Sequence, residues 1–225
     1  MWSSEVTNMI ITGIWETLYM TLVSTLVGYV IGLPMGIILT VSDKDGIKPN
    51  AVLYKILDVI ANIVRSVPFI ILLVLLIPFT RLVVGKSYGS TATIVPLVIA
   101  AAPYIARMVE SSLKEVDAGV IEAARSMGAS NFTIITKVML VEARTSLLVG
   151  ATITLGTILG YSAMSGAVGG GGLGAIAIRY GYTRWQTDIM IVTVILLIIL
   201  FQIFQTVGMK LADKFDHRKQ GGFIL

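Results

Sequence analysis

Five long apolar stretches alternate with shorter polar segments along this chain. The stretches cover residues 15–41, 67–79, 91–108, 146–164 and 189–207. An amphipathic lead over 52–64 precedes the second of them. A helix needs about 20 consecutive apolar residues to cross a bilayer, and it satisfies its backbone hydrogen bonds within one segment. The pattern predicts an all-α fold, a polytopic membrane helix bundle with five transmembrane helices in one domain spanning 1–225.

Composition supports a membrane protein and argues against catalysis. Hydrophobic residues make up 56% of the chain, charged residues 13%, and the mean hydropathy is +0.88, values outside the range of soluble domains. Cysteine is absent and the only histidine is His217. A nucleophile–base pair or a metal site built on those residues is therefore excluded. We expect a passage through the lipid bilayer that has no enzyme activity, no cofactor, no metal and no nucleic-acid partner.

Lysine and arginine are distributed unequally between the two sides that five spans define. Twelve basic residues fall on one side: Lys44, Lys48, Lys55, Arg107, Lys114, Arg125, Lys137, Arg144, Lys210, Lys214, Arg218 and Lys219. Four fall on the other: Arg81, Lys86, Arg179 and Arg184. Cytoplasmic loops are the richer in basic residues, so the amino terminus is expected outside and the carboxyl terminus in the cytoplasm. Within the spans, Arg107 and Glu110 are three residues apart, which predicts a local ion pair at the inner boundary.

A glycine-rich segment follows the fourth apolar stretch. Gly169, Gly171 and Gly174 match the spacing G-x-G-x-x-G of dinucleotide-binding folds. That motif requires a strand before the glycines and an acidic residue about 20 positions later, whereas here a membrane helix enters and the segment lies outside. We predict a flexible, closely packed loop that binds no nucleotide and forms part of an outer gate.

The fourth stretch is the best candidate for lining a solute pathway, because it combines small and hydroxylated residues. Tyr161, Ser162 and Met164 lie just before the glycines, where hydroxyls and a flexible thioether can meet an amino acid with an apolar tail. Gly169 and Gly171 complete the candidate pathway or gate. The same small residues also suit tight helix packing, so both interpretations stay open.

The longest cytoplasmic segment, about 114–140, predicts two short helices. An alanine-rich stretch over 118–127 ends at Gly128, a residue suited to the position after a helix, and Ser130 can cap a second helix through Lys137. One interpretation is an amphipathic connector on the membrane surface. The other is a docking element for a partner protein.

The docking interpretation depends on the first helix of this pair. Ala123 and Ala124 are small enough for a backbone to enter a groove, and Glu122 can pair with a partner's cation. The pattern E-A-A, three residues, G, nine residues, I-x-L-P resembles the membrane subunits of ATP-binding cassette (ABC) importers. This chain has Glu122, Ala123, Ala124, Gly128, Val138 and Leu140 at those positions, and it departs from the pattern at Val141, where proline is usual.

A resemblance over nearly the whole chain narrows the family. The stretches RSVPFIILLVLLIPFTRLVVG, IVPLVIAAAPYIARMVESSL and GYSAMSGAVGGGGLGAIAIRYGY look like those of methionine importer permeases. The resemblance implies a type I ABC importer permease fold in a bacterial cytoplasmic (inner) membrane. It also implies a homodimer, two copies of a cytoplasmic ATPase subunit that binds ATP and Mg, and an extracytoplasmic methionine-binding protein.

Two alternatives remain at this stage. One is an importer permease for another amino acid or a quaternary amine. The other is an ATP-independent channel or secondary transporter, which would not need a docking element at Glu122 to Gly128. The spans also contain no chain of acidic or histidine residues that would relay protons in a secondary transporter.

Overall fold

The computed structural model describes residues 4–215, whose regular elements are all helices, with no strand among them. His217, Arg218 and Lys219 lie outside these residues. The α-helices are α1 (Ser4–Ser42), α2 (Ala51–Ser66), α3 (Phe69–Leu75), α4 (Ile77–Val84), α5 (Ser90–Lys114), α6 (Ala118–Ser126), α7 (Asn131–Thr133), α8 (Leu140–Glu142), α9 (Arg144–Ser165), α10 (Gly172–Ile176) and α11 (Thr187–Lys214). A 3₁₀ turn (Gly166–Val168) and two π-helical segments (Ile134–Met139 and Ala177–Tyr182) join some of them.

Four segments among the described residues are long and apolar enough to cross a membrane: Ser4–Ser42, Ser90–Lys114, Arg144–Tyr182 and Thr187–Lys214. The second predicted span is broken, because α2 and α3 meet at 102°. Pro68 causes the break, since proline disfavours helical geometry at the residue before it and Val67 is extended. Counting the bent pair as one span gives the predicted five, and the amphipathic lead is α2.

The two helices α1 and α5 form the tightest contact of the bundle. Gly28, Gly32 and Gly36 recur every four residues on α1 and lie directly against α5. A Cβ atom on Gly32 would sit 2.5 Å from the carbonyl oxygen of Ala102, and one on Gly36 equally close to that of Ala106. Small residues at this spacing allow two membrane helices to approach at backbone distance. The pair therefore forms a closely packed unit along most of its length.

Helix α9 packs between this pair and α11. On the α11 side, a Cβ on Gly156 would lie 2.6 Å from the Phe201 ring. Towards α3, the rings of Tyr161 and Phe69 stack with centroids 4.4 Å apart and planes inclined by 4°. One face of α9 is thus flanked by α3 and α11 and stays open between them, with Ile153, Gly160 and Met164 exposed.

The glycine segment differs from the loop that the sequence predicts. Only a short turn at 169–171 is non-helical, and the chain continues as α10 and a π-helical segment to Tyr182. The returning chain lies against the end of α9, because a Cβ on Gly166 would meet the Ala175 nitrogen and one on Gly174 would meet the Ala163 oxygen, at 2.3 and 2.1 Å. This close backbone contact requires glycine at both 166 and 174, since a side chain at either position would clash. A hydropathy pattern gives no indication of such a contact.

Candidate coupling element and outer loop

Helix α6 has well-defined ends that agree with the sequence prediction. The Asp117 side chain accepts a hydrogen bond from the Gly119 N–H at 2.8 Å at its start. At its end Gly128 has φ of +80°, and its N–H donates to the Arg125 carbonyl at 2.9 Å. The Ala129 N–H donates to the Ala124 carbonyl at 3.1 Å, which completes a Schellman-type end. The predicted left-handed glycine at 128 is confirmed.

The second short helix also begins where predicted. The Ser130 Oγ accepts the Thr133 N–H at 3.2 Å, as an N-cap residue does. The helix passes Lys137 and continues through the π-helical segment to Glu142. Val141 lies within this continuation, which is interrupted for one residue at Ala143 before α9 begins. Two short helices therefore meet at the Gly128 turn.

The four docking candidates, three on α6 and Gly128 just after it, do not share one environment. Glu122 and Ala123 are exposed, and Gly128 has open space around it. Ala124 is only 5% exposed and belongs to the buried cluster that includes Ile134 and Met139. The small side chain at Ala124 is therefore required by packing within this chain, which corrects the interpretation of Ala124 as a surface for a partner.

Two apolar side chains near the turn were missed by the sequence reasoning. Met127 is 82% exposed and Phe132 is 75% exposed, and they lie on either side of Gly128. Large apolar side chains at such exposure are typical of interaction surfaces when they cluster. Their signal in the sequence is an apolar residue immediately before the turn and another shortly after it. We call the exposed group of Glu122, Ala123, Met127, Gly128 and Phe132 the coupling surface.

Helix α6 is connected to the rest of the bundle through the segment that follows α1. The Arg125 guanidinium donates to the Ile47 carbonyl oxygen at 3.2 Å. Nearby, Lys114 at the end of α5 pairs with Asp43 at 2.7 Å and with Glu110 at 2.9 Å. The hydrogen bond from Lys114 holds the pKa of Asp43 below its usual value. The ends of α1 and α5 are thereby tied together next to α6.

The predicted ion pair between Arg107 and Glu110 is confirmed, at 2.7 Å, and it is part of a larger network. Arg107 also pairs with Asp58 and donates to the Asn62 Oδ1 at 3.1 Å, both on α2. Tyr54, also on α2, donates to Glu110 at 3.3 Å. Because partners on α2 are about 50 residues away in sequence, i to i+3 spacing gave no indication of them. The network joins α1, α2 and α5 near the coupling surface.

At the opposite end of α1 and α5 lies the glycine turn, which adopts backbone geometry that favours glycine. Gly169, Gly171 and Gly172 have φ of +84°, +88° and +73°. The Gly89 N–H, just before α5, donates to the Gly169 carbonyl at 2.8 Å, and the Thr93 hydroxyl donates to the Gly170 carbonyl at 3.1 Å. The turn is thus fastened to the start of α5.

Helix α1 holds the turn from the other side. The Glu16 carboxylate accepts the Gly172 N–H at 2.6 Å, and the Thr17 hydroxyl oxygen accepts the Leu173 N–H at 2.9 Å. These amides are among the groups that a dinucleotide phosphate would need, and a carboxylate already accepts one of them. The Cβ that Gly171 lacks would lie 2.9 Å from the Glu16 Oε2. Sequence reasoning placed Glu16 in the first span without assigning it a role.

The pathway candidates occupy different positions on α9. Met164 is 52% exposed on the open face, and Tyr161 is partly buried by its stacking on Phe69. Ser162 is buried and its hydroxyl donates to the Leu159 carbonyl at 2.8 Å. The structure therefore brings Tyr161 and Met164 to the open face and directs Ser162 into the packing. Residues 4–215 contain no cluster of three or more His, Cys, Asp or Glu side chains that could hold a metal ion.

A helical bundle with four or five segments apolar enough to cross a membrane is the architecture of a polytopic membrane protein. The chain belongs to the family of binding-protein-dependent transport system inner membrane components, whose model matches residues 28–220. It is 49% identical over 217 residues to the probable D-methionine transport system permease protein MetI of Vibrio cholerae, covering 96% of both chains. With the D-methionine transport system permease protein MetI of Escherichia coli K12 it shares 52% identity over 158 residues, 70% of this chain and 73% of the relative.

Solved structures agree with this family. A chain of the MetNI methionine ABC transporter in an inward-facing conformation superposes with a TM-score of 0.94 at 49% identity, covering 96% of this chain and 100% of that one. A chain of an amino acid ABC transporter is similar in fold alone, with a TM-score of 0.71 at 22% identity. The predicted type I ABC importer permease fold is confirmed.

Proposed function

We propose that this chain is the membrane-spanning permease subunit of an ABC importer that translocates methionine across the cytoplasmic membrane. The observation that carries the proposal is the coupling surface at α6 and the turn after it. The helix has well-defined ends, yet the side chains of Glu122, Ala123 and Met127 remain exposed. A channel or secondary transporter has no use for such a surface. Methionine as the substrate rests on the names of relatives that are about half identical to this chain.

The assembly that fits this function contains two copies of the chain and two copies of a cytoplasmic ATPase subunit. The ATPase binds ATP and Mg and carries out the hydrolysis, so the permease itself is not an enzyme. An extracytoplasmic methionine-binding protein delivers the substrate. The coupling surface is the contact with the ATPase, through the apolar side chains Met127 and Phe132 and the charge of Glu122.

The orientation follows from the same arrangement. The chain forms one domain of the bacterial inner membrane with its amino terminus outside, its carboxyl terminus in the cytoplasm and the coupling region, about 114–140, on the cytoplasmic side. Four basic residues within or next to that region, Lys114, Arg125, Lys137 and Arg144, support this orientation. The glycine turn then lies towards the outer face, because Glu16, in the amino-terminal half of α1, contacts it.

The contacts suggest how a movement of the ATPase reaches the outer face. Displacement of α6 acts through Arg125 on Ile47, in the segment that follows α1, and this segment is tied to α5 where Lys114 pairs with Asp43. The glycine contact makes α1 and α5 move together. Glu16 in the amino-terminal half of α1 and Thr93 at the start of α5 hold the glycine turn. Opening and closing of the turn beside Met164 then gates the pathway, as alternating access requires.

The test is purification of the complex from membranes, followed by uptake into vesicles. We expect an ATPase subunit to co-purify, and labelled methionine to enter only when ATP and the binding protein are supplied. A quaternary amine or another amino acid that competes better than methionine would replace the substrate assignment. Uptake at the same rate without ATP would establish a channel or secondary transporter instead.

A further inference from the structure

Two arginines in the segment between α10 and α11 converge on one aromatic ring. The guanidinium carbon of Arg184 lies 4.6 Å from the centroid of the Tyr180 ring, and that of Arg179 lies 5.8 Å from it. Both arginines are exposed. Within residues 4–215 neither forms an ion pair with a carboxylate, although Asp188 is close by in sequence, in the first turn of α11. Two neighbouring positive charges repel each other, so the arrangement favours an anion beside them.

Backbone hydrogen bonds hold this segment in one conformation. The Gln186 N–H donates to the Tyr180 carbonyl at 3.1 Å, and the N–H and hydroxyl of Thr183 donate to the Ile178 carbonyl at 2.9 and 3.0 Å. Trp185 has φ of +58°, in a region that residues other than glycine seldom adopt. Backbone strain of this kind persists where the surrounding structure fixes it, and it is concentrated at functional positions. The two arginines and Trp185 are therefore presented by a defined loop.

Exposed aromatic and apolar side chains continue from this loop into the membrane span. The ring of Trp185 is 84% exposed and that of Tyr182 is 69% exposed. Helix α11 begins two residues after Trp185, and only 11% of its most apolar stretch is buried against the rest of the chain. Ile191 and Ile195 are exposed near its start. Tryptophan and tyrosine are enriched where a span meets the lipid headgroups. The loop therefore places positive charge and amphipathic rings directly above an uncovered apolar helix.

We propose that Arg179 and Arg184 bind the headgroup phosphate of an anionic phospholipid, whose acyl chains lie along the start of α11. Guanidinium groups recognise phosphate oxygens through charged hydrogen bonds, and a guanidinium that contacts an aromatic ring can still donate them. A carboxylate of a partner protein would balance the arginines but leave the apolar side chains below them uncovered, whereas a phospholipid satisfies both. In the orientation of the proposed function this lipid belongs to the outer leaflet. The site does not depend on which solute is transported.

Fluorescence of Trp185 tests the site, because bromine atoms in a lipid chain quench a tryptophan that they contact. The complex is purified from membranes and placed in nanodiscs of phosphatidylcholine that contain a minor share of brominated phosphatidylglycerol or brominated phosphatidylcholine. The Trp185 signal is the fluorescence that is lost in Trp185→Phe. We expect the anionic brominated lipid to quench this signal more strongly. Arg179→Gln with Arg184→Gln should remove the difference, whereas Arg81→Gln, the same change at an exposed arginine of α4, should keep it.

Each other outcome would overturn the inference. Equal quenching by the two brominated lipids would mean that the ring meets the bilayer without an anion site, and no quenching by either would assign the loop to a protein partner. Equal loss of the difference in Arg81→Gln would mean a general effect of surface charge. The unmodified complex gives a second test, since added salt should weaken the preference for the anionic lipid and an unchanged preference would refute a charged contact. Because no step of the experiment needs methionine or ATP, its failure leaves the proposed transport function untouched.

Discussion

The hydrogen bond between Glu16 and the Gly172 N–H gives the sharpest prediction about the outer loop. Glu16→Ala removes the charged group that holds the glycine turn to α1, at a donor–acceptor distance of 2.6 Å. Gly172 is the first residue of α10 and buried, so its N–H has no acceptor within that helix. Removing the carboxylate therefore leaves a buried donor without its partner.

The magnitude follows from the kind of hydrogen bond. A hydrogen bond to a charged group contributes about 1.5–3 kcal/mol, and Thr17 still holds the neighbouring amide. Loss of about 2 kcal/mol changes the ratio of molecules with the glycine turn bound to α1 to molecules with the turn detached by a factor of roughly 30. We expect methionine uptake to fall while ATP hydrolysis continues, because the gate is loosened and the coupling surface is unchanged.

The assay measures uptake and ATP hydrolysis on the same vesicles. Glu16→Gln keeps an acceptor oxygen and should recover most of the uptake, and Glu5→Ala, an exposed acid of the first turn of α1, is the control for loss of charge on that helix. Normal uptake in Glu16→Ala, at unchanged protein amount, would refute the role of this hydrogen bond.

Three further predictions concern the ATPase contact, the ion pair next to it and the orientation in the membrane. Gly128→Val forces a β-branched residue to φ of +80° and should reduce co-purification of the ATPase, whereas Gly128→Asn, which tolerates that geometry better, should keep it. Lys114 lowers the pKa of Asp43 in the folded protein. The ion pair between them should therefore stabilise the protein above a pH of about 4, and this stabilisation should be lost as the pH falls further. Lys114→Met should therefore flatten the acid limb of a melting-temperature profile, and an unchanged limb would contradict the pairing. A cysteine at Tyr88 should react with an impermeant thiol reagent from outside intact cells and one at Ser130 should not, and the reverse result would invert the topology.

Local features of the sequence predicted local features of the structure well. The end of α6 at Gly128 and the cap at Ser130 depend on backbone rules within a few residues, and both are found. The pair Arg107 and Glu110 follows from helical spacing alone. The lengths of the apolar stretches predicted the spans. Hydropathy, which is averaged over a window of residues, did not show the bend that Pro68 introduces between α2 and α3.

Features that depend on distant parts of the chain were beyond such rules. The ion pair of Arg107 with Asp58 requires α2 to lie beside α5, which no spacing indicates. Ala123 and Ala124 are neighbouring alanines that the sequence alone does not distinguish. Only the folded structure shows that Ala124 is buried and Ala123 is exposed. The role of Glu16 likewise depends on the glycine turn returning to the amino-terminal half of α1.

The coupling surface is the central claim, and the methionine transported per ATP hydrolysed tests it most directly. Ala123→Arg places bulk and charge on the exposed face of α6 without disturbing the packing that Ala124 provides. Ala51→Arg, the same change at an exposed position of α2 outside the coupling surface, is the matched control. We predict that Ala123→Arg lowers the ratio or releases the ATPase while Ala51→Arg keeps the wild-type ratio. A wild-type ratio with full ATPase retention in Ala123→Arg would contradict the account.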